Sequence, residues 1–411
     1  MSLSSLLFRN QSTRQTLIKN TFWLGLIEFF SKIIMFFVTI LIVRSFGPNE
    51  FGKLNLAMSY AAMIMVFSDL GLNTITAREI ARHKEEKDKY LSNIFTIRLL
   101  VSVVIWLGTF LFSANKLVLL VVTFNLVQNF SSLLCAAFSG LEAMQYNFIS
   151  RFIYYFGILA SVIAVTRVQG SPEKLITFYI IASFITFILT FSMLKFKKIN
   201  LKLTIDLLFW KKILKETLPL LGMTITGVIY LNIDSILIGR YFGPEQVGLY
   251  QSAYKILFAF QSINIINSSL FPRISSLIAE KKYIILNKLN FIVVAVSLFV
   301  LIPLGIFISI FASQIMKIIY GTVYVSASPA LIFLIWSGII FYFRNFINNL
   351  LIANNKQKQV FYSILLGTTI NVMFNLFITP RFNYIYASMA MVLSEIIILT
   401  YSTLLYVKNK K

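Results

Sequence analysis

The chain has 411 residues, of which 58% are hydrophobic and only 13% are charged, and its mean hydropathy is +0.81. Globular proteins are about 45–50% apolar and about 25% charged, so a soluble multidomain protein is excluded. One Cys, 17 Gly and 8 Pro also exclude a disulfide scaffold and a collagen-like chain. A polytopic membrane protein remains. Its net charge of +22 suits either a polyanionic partner or a membrane topology signal.

Apolar segments recur along the whole chain, each long enough for the roughly 20 residues of helix that cross a bilayer core. The predicted spans are the twelve segments 20–43, 54–77, 92–113, 117–139, 147–168, 174–194, 217–239, 249–270, 286–311, 326–349, 359–379 and 383–406. Some are rich in β-branched residues, but a lone strand could not satisfy its backbone groups in lipid. The sequence therefore predicts an all-α polytopic membrane protein with about 12 transmembrane helices.

The cations are distributed unevenly between the two sides that these spans define. Turns after odd-numbered spans carry about eight Lys and Arg, whereas the termini and the loops after even-numbered spans carry about 25. The positive-inside rule predicts that both termini are cytoplasmic. Most of the net charge then sets topology. Nucleic-acid binding is not expected, because the basic loops lack a base-stacking aromatic pattern.

The longest loop lies midway along the chain. We predict an N-terminal six-helix half over 1–198, a cytoplasmic amphipathic linker over 199–216 and a C-terminal six-helix half over 217–411. Leucine and isoleucine alternate with lysine in this linker, and Trp210 lies among them. This pattern predicts an interfacial helix on the inner leaflet.

One motif occurs twice with an offset of about 196 residues: R-S-F-G-P-N-E-F-G at 44–52 and R-Y-F-G-P-E-Q-V-G at 240–248. Each copy follows the first span of a predicted half. Its turn residues are Gly47, Pro48, Gly52, Gly243, Pro244 and Gly248. Gly permits positive φ and Pro fixes φ, so any turn that ends a helix favours this pair of residues. The alternative to an internal repeat is therefore two unrelated turns that each end a helix. A repeat predicts two pseudo-symmetric halves of the same orientation, a common transporter plan with substrate held near the midplane.

The sequence lacks the motifs of most enzymes. No phosphate-binding Gly-x-x-x-x-Gly-Lys loop and no Gly-x-Gly-x-x-Gly is present. The single histidine, His83, lies in a charged loop, and Cys135 is alone in an apolar span. No metal site, cofactor or nucleophile is expected, and no predicted exported loop is long enough to carry catalytic acids. A carrier fits better than an enzyme.

A few ionisable residues lie inside the predicted spans, where charge is costly and indicates a functional interior. The cations are Lys32, Arg98, Lys255 and Arg344, and two acids of interest are Glu28 and Asp234. Glu28 and Lys32 share a helix face, as a self-neutralising pair or as a cavity cation with its acid. Asp234 and Lys255 either pair across a hairpin or both line a cavity. Arg98, shallow in span 3, is expected to snorkel to the surface, and Arg344 either snorkels or faces the interior.

Amides also cluster inside the spans. Those selected as candidates are Asn125, Asn129, Asn232, Asn264 and Asn371. Amides commonly hold helices together in membranes. They also suit sugar hydroxyls, because an amide offers both donors and an acceptor.

The chain resembles the Wzx-like polysaccharide (O-antigen type) flippases of the multidrug/oligosaccharidyl-lipid/polysaccharide (MOP) exporter superfamily over nearly its full length. The segments that carry the resemblance are Phe46-Gly47-Pro48-x-x-Phe51-Gly52, Asp69-Leu70-Gly71-Leu72, Leu218-Pro219, Asp234 before Gly239-Arg240-Tyr241-Phe242-Gly243, Gly248-Leu249-Tyr250 and Phe271-Pro272-Arg273.

The resemblance implies a MATE-like fold and a transporter that moves undecaprenyl-diphosphate-linked oligosaccharide across the bacterial inner membrane by alternating access, for O-antigen or capsule synthesis. Lys32, Lys255, Arg344 and Arg98 are then candidates for the diphosphate. Glu28 and Asp234 are candidates for coupling to H⁺ or Na⁺. Membrane lipids and other polysaccharide assembly proteins are the implied partners. A MATE-like multidrug or ion antiporter and a membrane enzyme of polysaccharide assembly are the alternatives.

Overall fold

The computed structural model describes residue 10 and residues 12–408, apart from the side chains of residues 218–220 and 223. The side chains of the Leu218-Pro219 motif therefore lie outside the described part. Every regular element within the described residues is helical, and the predicted all-α class is confirmed.

Fourteen α-helices follow one another in this part of the chain, joined by short loops and 3₁₀ turns. They are α1 (Thr13–Asp69), α2 (Leu72–Arg82), α3 (Lys87–Phe112), α4 (Lys116–Gly140), α5 (Met144–Arg167), α6 (Pro172–Ser192), α7 (Leu207–Phe242), α8 (Pro244–Phe260), α9 (Ile265–Ala279), α10 (Tyr283–Ile310), α11 (Ala312–Tyr320), α12 (Ser328–Ala353), α13 (Gln357–Phe377) and α14 (Ile385–Lys408).

Nine helical stretches of the described chain are long and apolar enough to cross a membrane, as in a multi-pass membrane protein. The first stretch, Thr13–Arg82, has 70 residues and contains predicted spans 1 and 2. Predicted spans 7 and 8 are not among the nine. Span 8 is divided by a 3₁₀ turn at Gln261–Asn264, which leaves α8 with 17 residues and α9 with 15. The twelve-span layout therefore stays a prediction.

The chain divides into two compact units: residues 1–46 with 57–228, and residues 47–56 with 229–411. The core of the first unit contains Leu72, Leu91 and Leu133, none of which is exposed. A core cluster of the second unit includes Ile274 and Phe346. Large apolar side chains also lie on outer faces, as expected for helices that contact lipid. The predicted division into halves at 198 and 217 is not tested by these units.

The repeated motif forms two turns with nearly the same backbone. Gly47 has φ 68° and ψ 174°, and Gly243 has φ 85° and ψ 174°, a region that in practice only glycine adopts. In both copies the following proline begins a new helical segment. The change of direction after predicted spans 1 and 7 is therefore built from the same local chemistry.

The two turns also contact each other within the second unit. A Cβ added at Gly52 would overlap the carbonyl oxygen of Pro244, and a Cβ added at Gly248 would overlap that of Pro48. The contact is reciprocal: each motif's last glycine receives the backbone of the other motif's proline. Glycine is required at both positions because the two backbones meet without space for a side chain.

Residues 207–216 of the predicted linker are helical and form the first turns of α7, whereas residues 201–206 are not helical. The placement of this helix on the inner leaflet stays a prediction. The non-helical segment is bound to α3, since the backbone N–H of Lys202 donates to the Ser92 hydroxyl at 3.1 Å. Trp210 donates its indole N–H to the Asn93 side-chain oxygen at 3.0 Å, so Trp210 packs on protein. The alternation of apolar and basic residues in this segment therefore reflects its packing within the first unit.

Candidate functional site

A buried ion pair lies in the second unit, between α12 and α14. Arg344 Nε is 2.7 Å from Glu395 Oε2, and the two side chains are 8% and 1% exposed. Tyr230 on α7 donates its hydroxyl to the other carboxylate oxygen of Glu395. The guanidinium also lies over the Phe341 ring, 4.6 Å from its centroid. Arg344 is therefore held in the interior and does not snorkel.

A second polar cluster surrounds Asp234 on α7. The Tyr250 hydroxyl on α8 donates to one carboxylate oxygen at 2.7 Å, and the Asn375 amide on α13 donates to the other at 2.9 Å. Asn375 in turn accepts from the Thr379 hydroxyl at 3.0 Å. Asn371 lies one turn before Asn375 on the same helix, and its fully buried side chain lies near the Asp234 carboxylate. This cluster presents a carboxylate and amide oxygens, ligands that suit a proton or a small hard cation.

Lys255 on α8 does not pair with Asp234. In the described residues it has neither an ion-pair partner nor a hydrogen bond, although its side chain is half-buried. Of the two predicted arrangements, pairing across the hairpin is therefore wrong. An ammonium group without a partner in the interior of a unit is available to an anionic ligand.

Arg98 on α3 is the centre of a polar cluster in the first unit and is not exposed. Its guanidinium contacts Asp69 Oδ1 at 2.7 Å and donates to Asn73 Oδ1 at 3.1 Å and to the backbone carbonyl of Asn129 at 2.6 Å. The Asn129 amide donates to the Ser68 hydroxyl at 3.0 Å. The expectation that Arg98 snorkels is wrong, because its charge is neutralised where it lies.

Glu28 and Lys32 on α1 form an ion pair of 3.6 Å at i, i+4, with side chains 56% and 45% exposed. The distance between the two charged groups fits a self-neutralising pair. Because both side chains are exposed, a ligand can also reach them. Two of the remaining predicted amides bond to residues three or four positions away in the chain. Asn125 donates to the Val121 carbonyl of its own helix at 2.8 Å, and Asn264 accepts from Asn267 at 2.9 Å. Asn232 is half-buried on α7.

The sequence did not identify the tyrosines that complete these clusters. Tyr230 and Tyr250 donate to the carboxylates of Glu395 and Asp234, which lie on other helices. Tyr250 is the second residue after the repeated motif, which was the one signal available. No group of three or more metal-ligating side chains occurs in the part of the chain that the structure describes.

Comparison with known proteins agrees with this architecture. The family described as polysaccharide biosynthesis protein matches residues 17–278, and the family described as MatE matches residues 219–377. The chain is 20% identical to the capsular polysaccharide biosynthesis protein CapF of Staphylococcus aureus over 390 residues, 93% of this chain and 97% of CapF. It is 22% identical to a putative O-antigen transporter of Escherichia coli K12 over 420 residues, 97% of this chain and 99% of that protein.

A solved structure of the lipid II flippase MurJ in an inward closed conformation has a similar fold. The TM-score is 0.76 at 17% identity, over 92% of this chain and 86% of MurJ. The first family match covers more than half of the chain, and the resemblance stated from the sequence is confirmed. The protein belongs to the polysaccharide biosynthesis protein family, within the MOP exporter superfamily.

Proposed function

We propose that the protein is a flippase that moves an undecaprenyl-diphosphate-linked oligosaccharide across the bacterial cytoplasmic membrane by alternating access. The observation that carries the proposal is Lys255, a half-buried cation without a partner in the described chain. A diphosphate carries negative charge into the membrane and requires cations on its path. The names of CapF and the putative O-antigen transporter support a polysaccharide precursor as the substrate.

The contacts divide the four predicted diphosphate ligands into two classes. Arg98 and Arg344 are neutralised by Asp69 and Glu395, so their primary role is structural. Lys255 is unpaired, and Lys32 forms an ion pair with Glu28, whose side chain is exposed. We therefore assign the diphosphate to the two lysines. The twelve-span layout in two halves, with both termini cytoplasmic, is part of the same proposal.

We assign the coupling site to Asp234. Its carboxylate accepts hydrogen bonds from Tyr250 and Asn375, and the fully buried Asn371 lies one turn before Asn375 on the same helix. Entry of H⁺ or Na⁺ would neutralise this charge. Glu28 stays a second candidate, since its carboxylate is exposed.

The test is complementation of a deletion strain, with surface polysaccharide as the readout. Lys255→Gln and Lys32→Gln are expected to lower polysaccharide at equal protein level. Lys317→Gln, an exposed lysine on α11, is the matched control and should restore the wild-type amount. Full restoration by both test variants would remove the diphosphate assignment.

A multidrug exporter is the second candidate, favoured by the MatE match to residues 219–377. Such a carrier of cationic drugs requires net negative charge in its path, whereas Lys255 is an unpaired cation. Drug-resistance assays on cells that express the protein distinguish the two functions. Resistance without any effect on surface polysaccharide would favour the exporter.

A further inference from the structure

A polar cavity of about 50 Å³ lies in the first unit, lined only by residues of α4 and α5. Gln128, Ser131 and Cys135 line it from α4, and Arg151 and Tyr154 line it from α5. A site for one water needs about 10–15 Å³, so the space accommodates a few waters or one small polar group. None of the residues assigned to substrate or coupling above lines this cavity.

The cavity contains polar atoms that have no partner. Gln128 Oε1 and Ser131 Oγ are both buried without a hydrogen bond. More than about 90% of buried polar groups in proteins are satisfied, so each orphan atom indicates that a ligand or water completes it. Arg151 has no carboxylate partner in the described chain and its side chain is exposed. A guanidinium without a counter-ion favours an anion.

The three groups together define the chemistry of a ligand. An amide oxygen requires a donor, such as a sugar hydroxyl. A serine hydroxyl either donates or accepts. The guanidinium requires an anionic oxygen and suits a phosphoryl group in particular, since its planar fork can donate two parallel hydrogen bonds. A glycosyl phosphate carries all of these complementary groups on neighbouring atoms.

We propose that this cavity, which we call the Arg151 pocket, binds the sugar–phosphate junction of the transported lipid-linked saccharide. The phosphoryl group contacts the exposed Arg151, the first sugar stays outside the cavity, and only one of its hydroxyl groups enters and donates to Gln128. The inference rests on the proposed function. Arg151 lies seven residues into α5, about 10 Å along the helix, on the side predicted to be cytoplasmic, where such a substrate would load.

The pocket contains its own reporter, because Cys135 is the single cysteine of the chain. We would measure its modification rate in purified protein with an anionic and a cationic methanethiosulfonate reagent of similar size. Arg151 should make the anionic reagent about tenfold faster relative to the cationic one. Glucose 1-phosphate should slow the reaction, whereas sulfate at equal ionic strength should not. Arg151→Gln should abolish both effects, and Arg167→Gln, an exposed arginine of the same helix, should retain them.

Ligand-induced thermal stabilisation gives a second readout that does not depend on thiol reactivity. Glucose 1-phosphate should raise the Tm of the wild type and of Arg167→Gln but not that of Arg151→Gln. Absence of a Tm shift in all three proteins would overturn the pocket proposal, and so would equal reagent rates without protection. The pocket would then contain water only. If glucose 1-phosphate binds but proteoliposomes show no translocation, the pocket proposal is supported and the flippase function is contradicted. If translocation is observed but glucose 1-phosphate does not bind, the flippase function is supported and the pocket proposal is contradicted.

Discussion

The substitution Glu395→Gln tests the interpretation of the buried ion pair. The carboxylate is 1% exposed and lies 2.7 Å from Arg344, so the substitution leaves a buried guanidinium without its counter-charge. Removing one partner of a buried pair costs about 3–5 kcal/mol. The Tyr230 hydroxyl also loses its bond to a charged acceptor. We therefore expect a loss of stability of about 3–5 kcal/mol.

Thermal unfolding of purified protein, followed by tryptophan fluorescence, measures this effect. Glu245→Gln makes the same chemical change on an exposed acid of α8 and is the matched control. It should change the free energy of unfolding by less than about 0.5 kcal/mol. Combining Glu395→Leu with Arg344→Met removes both charges and should recover most of the lost stability.

The double variant also separates structure from transport. If Arg344 serves only to hold α12 against α14, the stable double variant should still support surface polysaccharide. A stable double variant without transport would mean that Arg344 contacts the diphosphate. A Glu395→Gln protein as stable as the wild type would refute the ion-pair argument itself.

Three further substitutions test the turns and the two other clusters. Gly248→Ala should destabilise the protein by about 1–3 kcal/mol, because the added methyl group overlaps a backbone carbonyl. In the control Gly227→Ala the added methyl group meets nothing within 4 Å, so this variant should keep the wild-type stability. Equal losses of stability in the two variants would contradict the contact between the turns. Asp69→Asn should cost about 1–3 kcal/mol in thermal unfolding, because Arg98 is fully buried whereas Asp69 is 35% exposed and partly screened by water. A wild-type Tm would contradict this. Tyr250→Phe should cost about 1.5–3 kcal/mol by removing a hydrogen bond to a buried carboxylate, and an unchanged unfolding curve would show that the bond contributes nothing.

The repeated turns show which features the sequence could predict. In the motif F-G-P-x-x-x-G the glycine permits positive φ and the proline fixes φ. The positions of Gly47 and Gly243 at the turns therefore follow from local chemistry. Composition and hydropathy likewise suffice for the all-α membrane class. These properties depend on residues near each other in the chain.

The partners of the buried charges could not be predicted in the same way. Tyr230 and Glu395 are 165 positions apart, and only packing of α7 against α14 brings them together. Hydropathy marks a charge inside a span as costly, but it does not indicate which helix neutralises it. Arg98 was for this reason expected to snorkel, and the hydrogen bond from Trp210 to Asn93 could not be predicted either, since 117 positions separate the two residues.

Translocation in proteoliposomes tests the flippase function most directly. Purified protein would be reconstituted with a defined undecaprenyl-diphosphate-linked sugar, and transfer between leaflets would be followed with a membrane-impermeant enzyme that modifies the exposed sugar. We expect protein-dependent transfer that is slower with Lys255→Gln and unchanged with Lys317→Gln. Transfer by folded wild-type protein at the rate of protein-free liposomes would contradict the account.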